Sequence, residues 1–293
     1  MKLVYKFTVL VLILLSTACQ STNAQPKQSI LDSADISFLK TFQDSVDIDN
    51  LQNVFQIGYQ DIYNGNNERG NRILTFVLSH VEEPNYELLH AVAVQNLKNG
   101  NYAIANDFLS RAAALSDEVF GYFGWVMLYY FRDYERSLKY LDKYDSLTPN
   151  FSDAPLGEDI NYLRGLAYLQ LKQFKKAIES FESYIIETTN AVGEDWVEVS
   201  TFYYKGIAHY KLREYVKAEK AFERAVYYNE NYTEANYYLY LTFQKQEKTK
   251  GECFYFLKKA KKLADKGFFR TDVYVTYFYP VYSQMIDKEF IKK

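Results

Sequence analysis

The chain has 293 residues, of which 48% are hydrophobic and 24% are charged. This apolar fraction is typical of a folded protein and excludes a chain that is disordered throughout. The sequence contains only 12 Gly and 5 Pro, too few for the many turns of a sandwich or barrel of short strands, so helices are favoured. The formal net charge of −3 supplies no positive field, which argues against a nucleic-acid partner.

Residues 1–18 are predicted to be a secretory signal peptide. Lys2 and Lys6 precede an apolar run from Phe7 to Leu15, and small residues follow that run. The run is too short to cross a bilayer, which needs about 20 apolar residues. The sequence therefore predicts an exported mature chain with no retained transmembrane helix.

Cys19 is predicted to carry a lipid. Leu15-Ser16-Thr17-Ala18-Cys19 resembles the lipobox of bacterial lipoproteins, a resemblance that implies diacylation of the cysteine and cleavage before it. Ordinary signal cleavage beside an unrelated cysteine is the alternative. Cys253 is the only other cysteine, so a disulfide framework is excluded.

Residues 19–45 are predicted to be the lipidated cysteine and a flexible tether, because the stretch after Cys19 is rich in Gln, Ser, Asn and Ala. The aromatic-rich chain resembles envelope lipoproteins of the Bacteroidetes. Residues 20–31 contain no acidic residue, unlike the surface-export signals of that group. The resemblance therefore favours a lipid-anchored chain at the outer membrane that faces the periplasm.

A helix-turn-helix unit recurs between residues 46 and 269. Its second helix has an aromatic, a small, a large apolar and a further apolar or small residue at three- and four-residue spacings, which place them on one helix face. The clearest copies are Phe174, Ala177, Phe181 and Tyr184, and Tyr215, Ala218, Phe222 and Ala225. In both copies a glycine, Gly165 or Gly206, lies nine residues before the aromatic, which predicts two helices in close contact.

This order of positions resembles the tetratricopeptide repeat, whose unit has about 34 residues. The small residue of the second helix aligns six copies: Gly70, Ala105, Ser137, Ala177, Ala218 and Cys253. The resemblance implies an all-α solenoid of about six repeats over residues 46–269. Residues 270–293 are predicted to form a C-terminal capping helix that starts at Thr271 or Asp272 and is kinked at Pro280.

No catalytic residue, metal site or cofactor is predicted. The sequence has no phosphate-binding, dinucleotide-binding or nucleophile-elbow motif. His80 and His90 flank a turn, but no spaced set of metal ligands accompanies them. His209 and Cys253 lie at repeat positions that favour packing in the core.

The resemblance also implies a concave surface lined by the first helices of the repeats, where solenoids bind extended partners. By family register, the residues expected on this surface are Tyr122, Tyr129, Tyr130, Tyr162, Tyr203, Tyr210, Lys211 and Tyr237. A tyrosine combines a large ring with a hydroxyl, which suits both binding and the packing of adjacent repeats. Tyr129, Tyr130 and Tyr210 exceed what packing requires and therefore favour binding.

The sequence thus favours a membrane-anchored scaffold or adaptor of the bacterial cell envelope that binds a protein or peptide segment in an aromatic groove. Capture of a glycan or peptidoglycan fragment is the alternative, because aromatic rings also stack on sugars. An enzyme is the third class, and it is disfavoured because no catalytic motif is present.

Overall fold

The computed structural model describes residues 48–80, 84–149, 151–272 and 275–291. The predicted signal peptide, Cys19 and the whole predicted tether lie outside these residues. The described residues form thirteen α-helices and no strand, and the first twelve helices make six consecutive pairs. The pairs are α1 Ile48–Tyr63 with α2 Asn67–His80, α3 Tyr86–Lys98 with α4 Tyr102–Leu115, α5 Val119–Val126 with α6 Tyr134–Asp145, α7 Ile160–Gln170 with α8 Phe174–Val192, α9 Val199–Lys211 with α10 Tyr215–Tyr228, and α11 Thr233–Lys245 with α12 Lys250–Asp265. This architecture confirms the predicted all-α array of six helix-turn-helix repeats.

The chain divides into two compact units, the first ending at Val119 and the second beginning at Phe120. In both units, the turn inside each helix pair contains one residue with left-handed φ, which ends the first helix and reverses the chain. These residues are Gly65, Gly100, Arg132, Lys172, Arg213 and Glu247. The repeated turn conformation makes the two helices of each pair antiparallel neighbours.

The small residues predicted to align the repeats are all buried in the structure. Among the glycines of the first helices, two lie closest to a side chain of the paired second helix. A Cβ atom on Gly165 would lie 2.3 Å from a ring carbon of Phe181, and one on Gly206 would lie 2.5 Å from a ring carbon of Phe222. Each ring of a second helix therefore rests on the backbone of the first helix, which confirms the predicted register.

Helix α5 continues into a π-helical turn, Met127–Phe131. The turn is widened, and the Asp133 amide donates to the Met127 carbonyl at 2.9 Å. Such turns inside α-helices occur frequently at functional sites. Tyr129 and Tyr130 both belong to this turn.

The predicted C-terminal capping helix is wrong in its extent. Helix α13 covers only Ser283–Ile291, and the described residues between α12 and α13 form no helix. Pro280 lacks an amide donor and disfavours helix in the residue before it. Residues 268–282 are here called the C-terminal segment, and its described residues, 268–272 and 275–282, are instead held in an irregular conformation by contacts with the repeats. Within the described part of the chain, no helix has the length and apolarity needed to span a membrane.

Candidate binding groove

The C-terminal segment lies in a groove of the second unit that is formed by first helices of that unit. Its described residues, 268–272 and 275–282, contact side chains in or next to α5, α9 and α11, and the charge of Arg270 acts on Tyr162 of α7. This is the surface on which the tyrosines were predicted to bind a partner. The groove therefore holds a peptide segment, and that segment belongs to the chain itself.

Phe278 is the aromatic anchor of the C-terminal segment. Its side chain is buried, with 5% exposed, and its ring stacks on Tyr129 with centroids 5.7 Å apart and planes at 19°. Tyr134 meets the same ring edge-on at 6.1 Å. The guanidinium of Arg132 lies 4.4 Å from the ring centroid and donates to the Thr276 carbonyl at 2.7 Å. Stacking, edge-on and cation–π contacts thus surround one ring.

The backbone next to Phe278 is bound through the Tyr203 hydroxyl. This hydroxyl donates to the Tyr279 carbonyl at 2.7 Å, and burial raises the pKa of Tyr203 well above its ordinary value, so the donor proton is retained. Tyr279 has φ of 49°, a left-handed conformation that costs about 1–2 kcal/mol in a non-glycine residue. Lys211 Nζ lies 5.5 Å from the Tyr279 ring centroid. The groove thus holds this residue in a strained backbone conformation.

Arg270 is the second anchor of the C-terminal segment. Its guanidinium carbon lies 3.9 Å from the Tyr277 ring centroid and 5.4 Å from that of Tyr204, and Nη1 donates to the Tyr204 hydroxyl at 3.0 Å. The Tyr232 ring centroid lies 5.9 Å away. The Arg270 amide donates to Glu234 Oε1 at 3.0 Å. A cation is therefore enclosed by tyrosine rings beside a carboxylate.

A second carboxylate, Glu158, lies in the same part of the groove. Oε2 accepts from the Trp125 indole at 2.6 Å and Oε1 accepts from the Tyr129 hydroxyl at 3.1 Å. Burial raises the pKa of Glu158, while these hydrogen bonds and the charge of Arg270 favour the ionised form. Burial likewise raises the pKa of Glu234. The charge of Arg270 opposes this effect of burial on the pKa of both carboxylates, so a cation at this place favours their ionised forms.

The predicted binding residues fall into two groups. Tyr129, Tyr203 and Lys211 contact the C-terminal segment directly. The remaining residues contact the repeats around it, and they are Tyr122, Tyr130, Tyr162, Tyr210 and Tyr237. Tyr162 is buried and its hydroxyl lies 2.8 Å from Ser200 Oγ of the next repeat. For these five residues, the contacts in the structure are those that the alternative interpretation, packing of the repeats, expects.

Sequence reasoning did not single out Glu158, Tyr204, Tyr232 or Arg270. Tyr204 follows Tyr203 directly, and no repeat spacing marks it as a cation site. The available signal was the cluster Tyr277-Phe278-Tyr279, because three consecutive aromatic residues outside the repeats need a surface to cover them. That cluster indicated an apolar contact, without indicating the groove as its location.

A separate cleft of about 700 Å³ lies between α8 and α10. His209 lines it and is buried, and its Nδ1 lies 2.6 Å from Glu214 Oε2. Burial lowers the pKa of His209, and the Glu214 carboxylate opposes that shift. The cleft has basic and acidic side chains in nearly equal number, namely Lys175, Lys205, Lys217, Lys220 and Arg224 against Glu179, Glu182, Glu194 and Glu214. This mixture selects no charged ligand, so the groove is the better candidate site.

Two stretches of the second unit match family models described as tetratricopeptide repeat, residues 158–185 and 199–232. The chain therefore contains tetratricopeptide repeats, and neither model describes an enzyme. The fold is similar to the C-terminal part of a TPR repeat-containing protein from Cytophaga hutchinsonii, at 16% identity and a TM-score of 0.54, over 73% of this chain and 80% of that one. It is also similar to MamA from Desulfovibrio magneticus RS-1, at 19% identity and a TM-score of 0.52, over 62% of this chain and 96% of that one. No curated protein matches the chain.

Proposed function

We propose that this chain is a tetratricopeptide-repeat scaffold of the cell envelope that binds an extended protein segment in the groove. One observation carries the proposal. The groove holds the C-terminal segment through Phe278, through the Tyr279 carbonyl and through Arg270. A peptide ligand has backbone carbonyls that can accept a hydrogen bond from a tyrosine, and it can supply an arginine guanidinium that packs among tyrosine rings. These contacts therefore favour a peptide over the glycan alternative.

Site-specific photo-cross-linking in cells tests groove binding. A benzoylphenylalanine at Tyr122, Tyr130 or Tyr210, which are half-buried and were predicted to line the groove, should yield a protein adduct. The matched control is Tyr255 on the second helix α12, which is 61% exposed and should yield none. Adducts at Tyr255 alone, or equal adducts at all positions, would contradict groove binding.

The proposal includes a lipid anchor on Cys19 that places the repeats at the outer membrane, facing the periplasm. Support comes from the apolar run and the small residues that precede Cys19. Several acyl chains on one residue give stable attachment, because each buried CH₂ contributes about 0.8 kcal/mol. Residues 20–45 then serve as the tether between membrane and repeats.

Cys19→Ala should abolish acyl labelling and move the protein out of the detergent-rich fraction in a phase-partition assay. The remaining cysteine, Cys253, is buried in the repeats, so Cys253→Ala is the control and should keep both the label and the membrane association. A Cys19→Ala protein that retains its label and its partitioning would show that the anchor is elsewhere.

A further inference from the structure

We propose that the C-terminal segment is an exchangeable occupant of the groove, and that the partner segment which replaces it has the same chemistry. That chemistry is an arginine followed seven to nine residues later by consecutive aromatic residues in an extended peptide. This inference rests on the proposed function, because it names the class of partner that the groove accepts and how access is regulated.

The arginine requirement comes from the surroundings of Arg270. Tyr204 and Tyr232 belong to the repeats and remain in place when the C-terminal segment leaves. When the C-terminal segment leaves, Glu234 Oε1 loses the hydrogen bond from the Arg270 amide, and the Tyr204 hydroxyl loses the one from the Arg270 guanidinium. Leaving a buried polar group without its hydrogen-bond partner is costly. A partner that supplies a guanidinium at this place avoids that cost.

The aromatic requirement comes from the surroundings of Phe278. Tyr129, Tyr134 and Arg132 form a site for one flat ring, with a face, an edge and a cation already in place. These three side chains belong to one repeat, α5 with its π-helical turn and α6. An aromatic anchor in a preformed pocket is the usual form of a binding hot spot.

The strain at Tyr279 makes the occupant replaceable. Its left-handed φ, directly before Pro280, costs free energy that the groove contacts must offset. A partner segment with a glycine or an unstrained residue at this position makes the same anchor contacts without this cost. Such a segment can therefore compete with the C-terminal segment for the groove, even though the C-terminal segment has a high local concentration because it is covalently attached.

The two ends of the C-terminal segment allow it to leave as a loop. At the front, Gly267 has φ of 77°, and no atom lies within 4 Å of the place where its Cβ would be, so the chain has room to pivot. At the back, α13 stays attached through Ile286, which is fully buried, and through the Tyr240 hydroxyl, which donates to Glu289 at 2.9 Å. Release of residues 268–282 therefore does not require α13 to detach.

The test uses a labelled synthetic peptide of residues 268–282, and the change in its fluorescence anisotropy reports its binding. The receptors are the full chain and its Phe278→Ala variant, in which the occupant has lost its ring while the groove residues are unchanged. The variant should bind the peptide about thirtyfold more tightly than the unmodified chain, because a hot-spot ring contributes about 2 kcal/mol. Tyr282→Ala changes a residue that is 56% exposed, and this control should bind as weakly as the unmodified chain.

Peptide variants test the chemistry of the partner. A peptide with Arg270→Gln should bind the Phe278→Ala receptor at least tenfold more weakly, and one with Phe278→Ala should lose about thirtyfold. Circular dichroism checks that the receptor is folded, and an Arg270→Gln receptor provides a second chain with a weakened occupant, which should also gain affinity for the unchanged peptide. Equal binding to all receptors, or equal binding of the Arg270→Gln and unchanged peptides, would overturn the inference.

The outcomes separate this inference from the proposed function. Groove adducts in cells together with no gain in peptide affinity would leave the scaffold proposal standing and overturn only the exchange of the C-terminal segment. Tight, arginine-dependent peptide binding without any groove adduct in cells would support the exchange chemistry and contradict the scaffold function.

Discussion

Phe278→Ala is expected to lower the free energy of unfolding of the second unit by about 2 kcal/mol. Replacing a fully enclosed phenylalanine with alanine typically costs about 3–5 kcal/mol, and a smaller loss applies here because the C-terminal segment can leave the groove rather than enclose a cavity. The substitution removes a ring that is 5% exposed and stacked on Tyr129. Urea unfolding followed by circular dichroism measures the loss.

Tyr282→Ala is the matched control for this measurement, because Tyr282 lies in the same segment with 56% of its surface exposed. Surface substitutions away from special features usually change stability by less than about 0.5 kcal/mol. If Phe278→Ala and Tyr282→Ala unfold at the same urea concentration as the unmodified chain, Phe278 does not contribute to the folded state.

Gly206→Ala should lower the free energy of unfolding by about 2 kcal/mol, although alanine favours a helix over glycine by about 1 kcal/mol. The added Cβ would lie 2.5, 2.6 and 2.9 Å from three ring carbons of Phe222. That ring is fully buried, so it cannot move without displacing the core, and overpacking typically costs about 1–3 kcal/mol. Thermal unfolding of the purified variant measures the effect.

Gly251→Ala is the control, since its Cβ would meet only the Thr249 hydroxyl at 4.0 Å and the variant should be neutral or slightly more stable. Phe222→Leu makes room for the new methyl group. The double variant Gly206→Ala/Phe222→Leu should therefore lose less free energy of unfolding than the two single variants lose together. Simple additivity of the two losses would show that Gly206 and Phe222 are not in contact.

The repeats were predictable from the sequence because the contacts between the two helices of a repeat require small and aromatic residues at fixed spacings. Glycine at Gly165 and Gly206 is needed where a ring of the second helix meets the backbone of the first. This requirement recurs in each clear copy, and so the register follows from local pattern alone. The widened turn of α5 was not predictable, since residues 127–131 carry no glycine, proline or spacing signal.

The site was predictable in part. The tyrosine positions follow from the repeat register, and three of the predicted residues contact the C-terminal segment. Glu158 was missed because it lies in the long loop before α7, and the repeat register does not fix where such a loop places a side chain. Arg270 was missed because its role depends on Tyr204 and Glu234, which are distant in sequence.

The helix predicted for the C-terminal segment was wrong because both Pro280 and tertiary contacts oppose it there. A helix starting at Thr271 would need Pro280 in its interior, at a cost of about 3 kcal/mol. The irregular conformation instead puts Arg270 and Phe278 into sites that the repeats supply. Local propensity is a weak guide where such contacts are available.

The central claim is that the groove holds a peptide segment, and hydrogen exchange of the C-terminal segment measured by NMR tests it most directly. The amide of Arg270 donates to Glu234 Oε1 at 3.0 Å, so it should exchange at least about a hundredfold more slowly than in an unstructured peptide. Exchange of this amide at the rate of the free peptide 268–282 would contradict the claim.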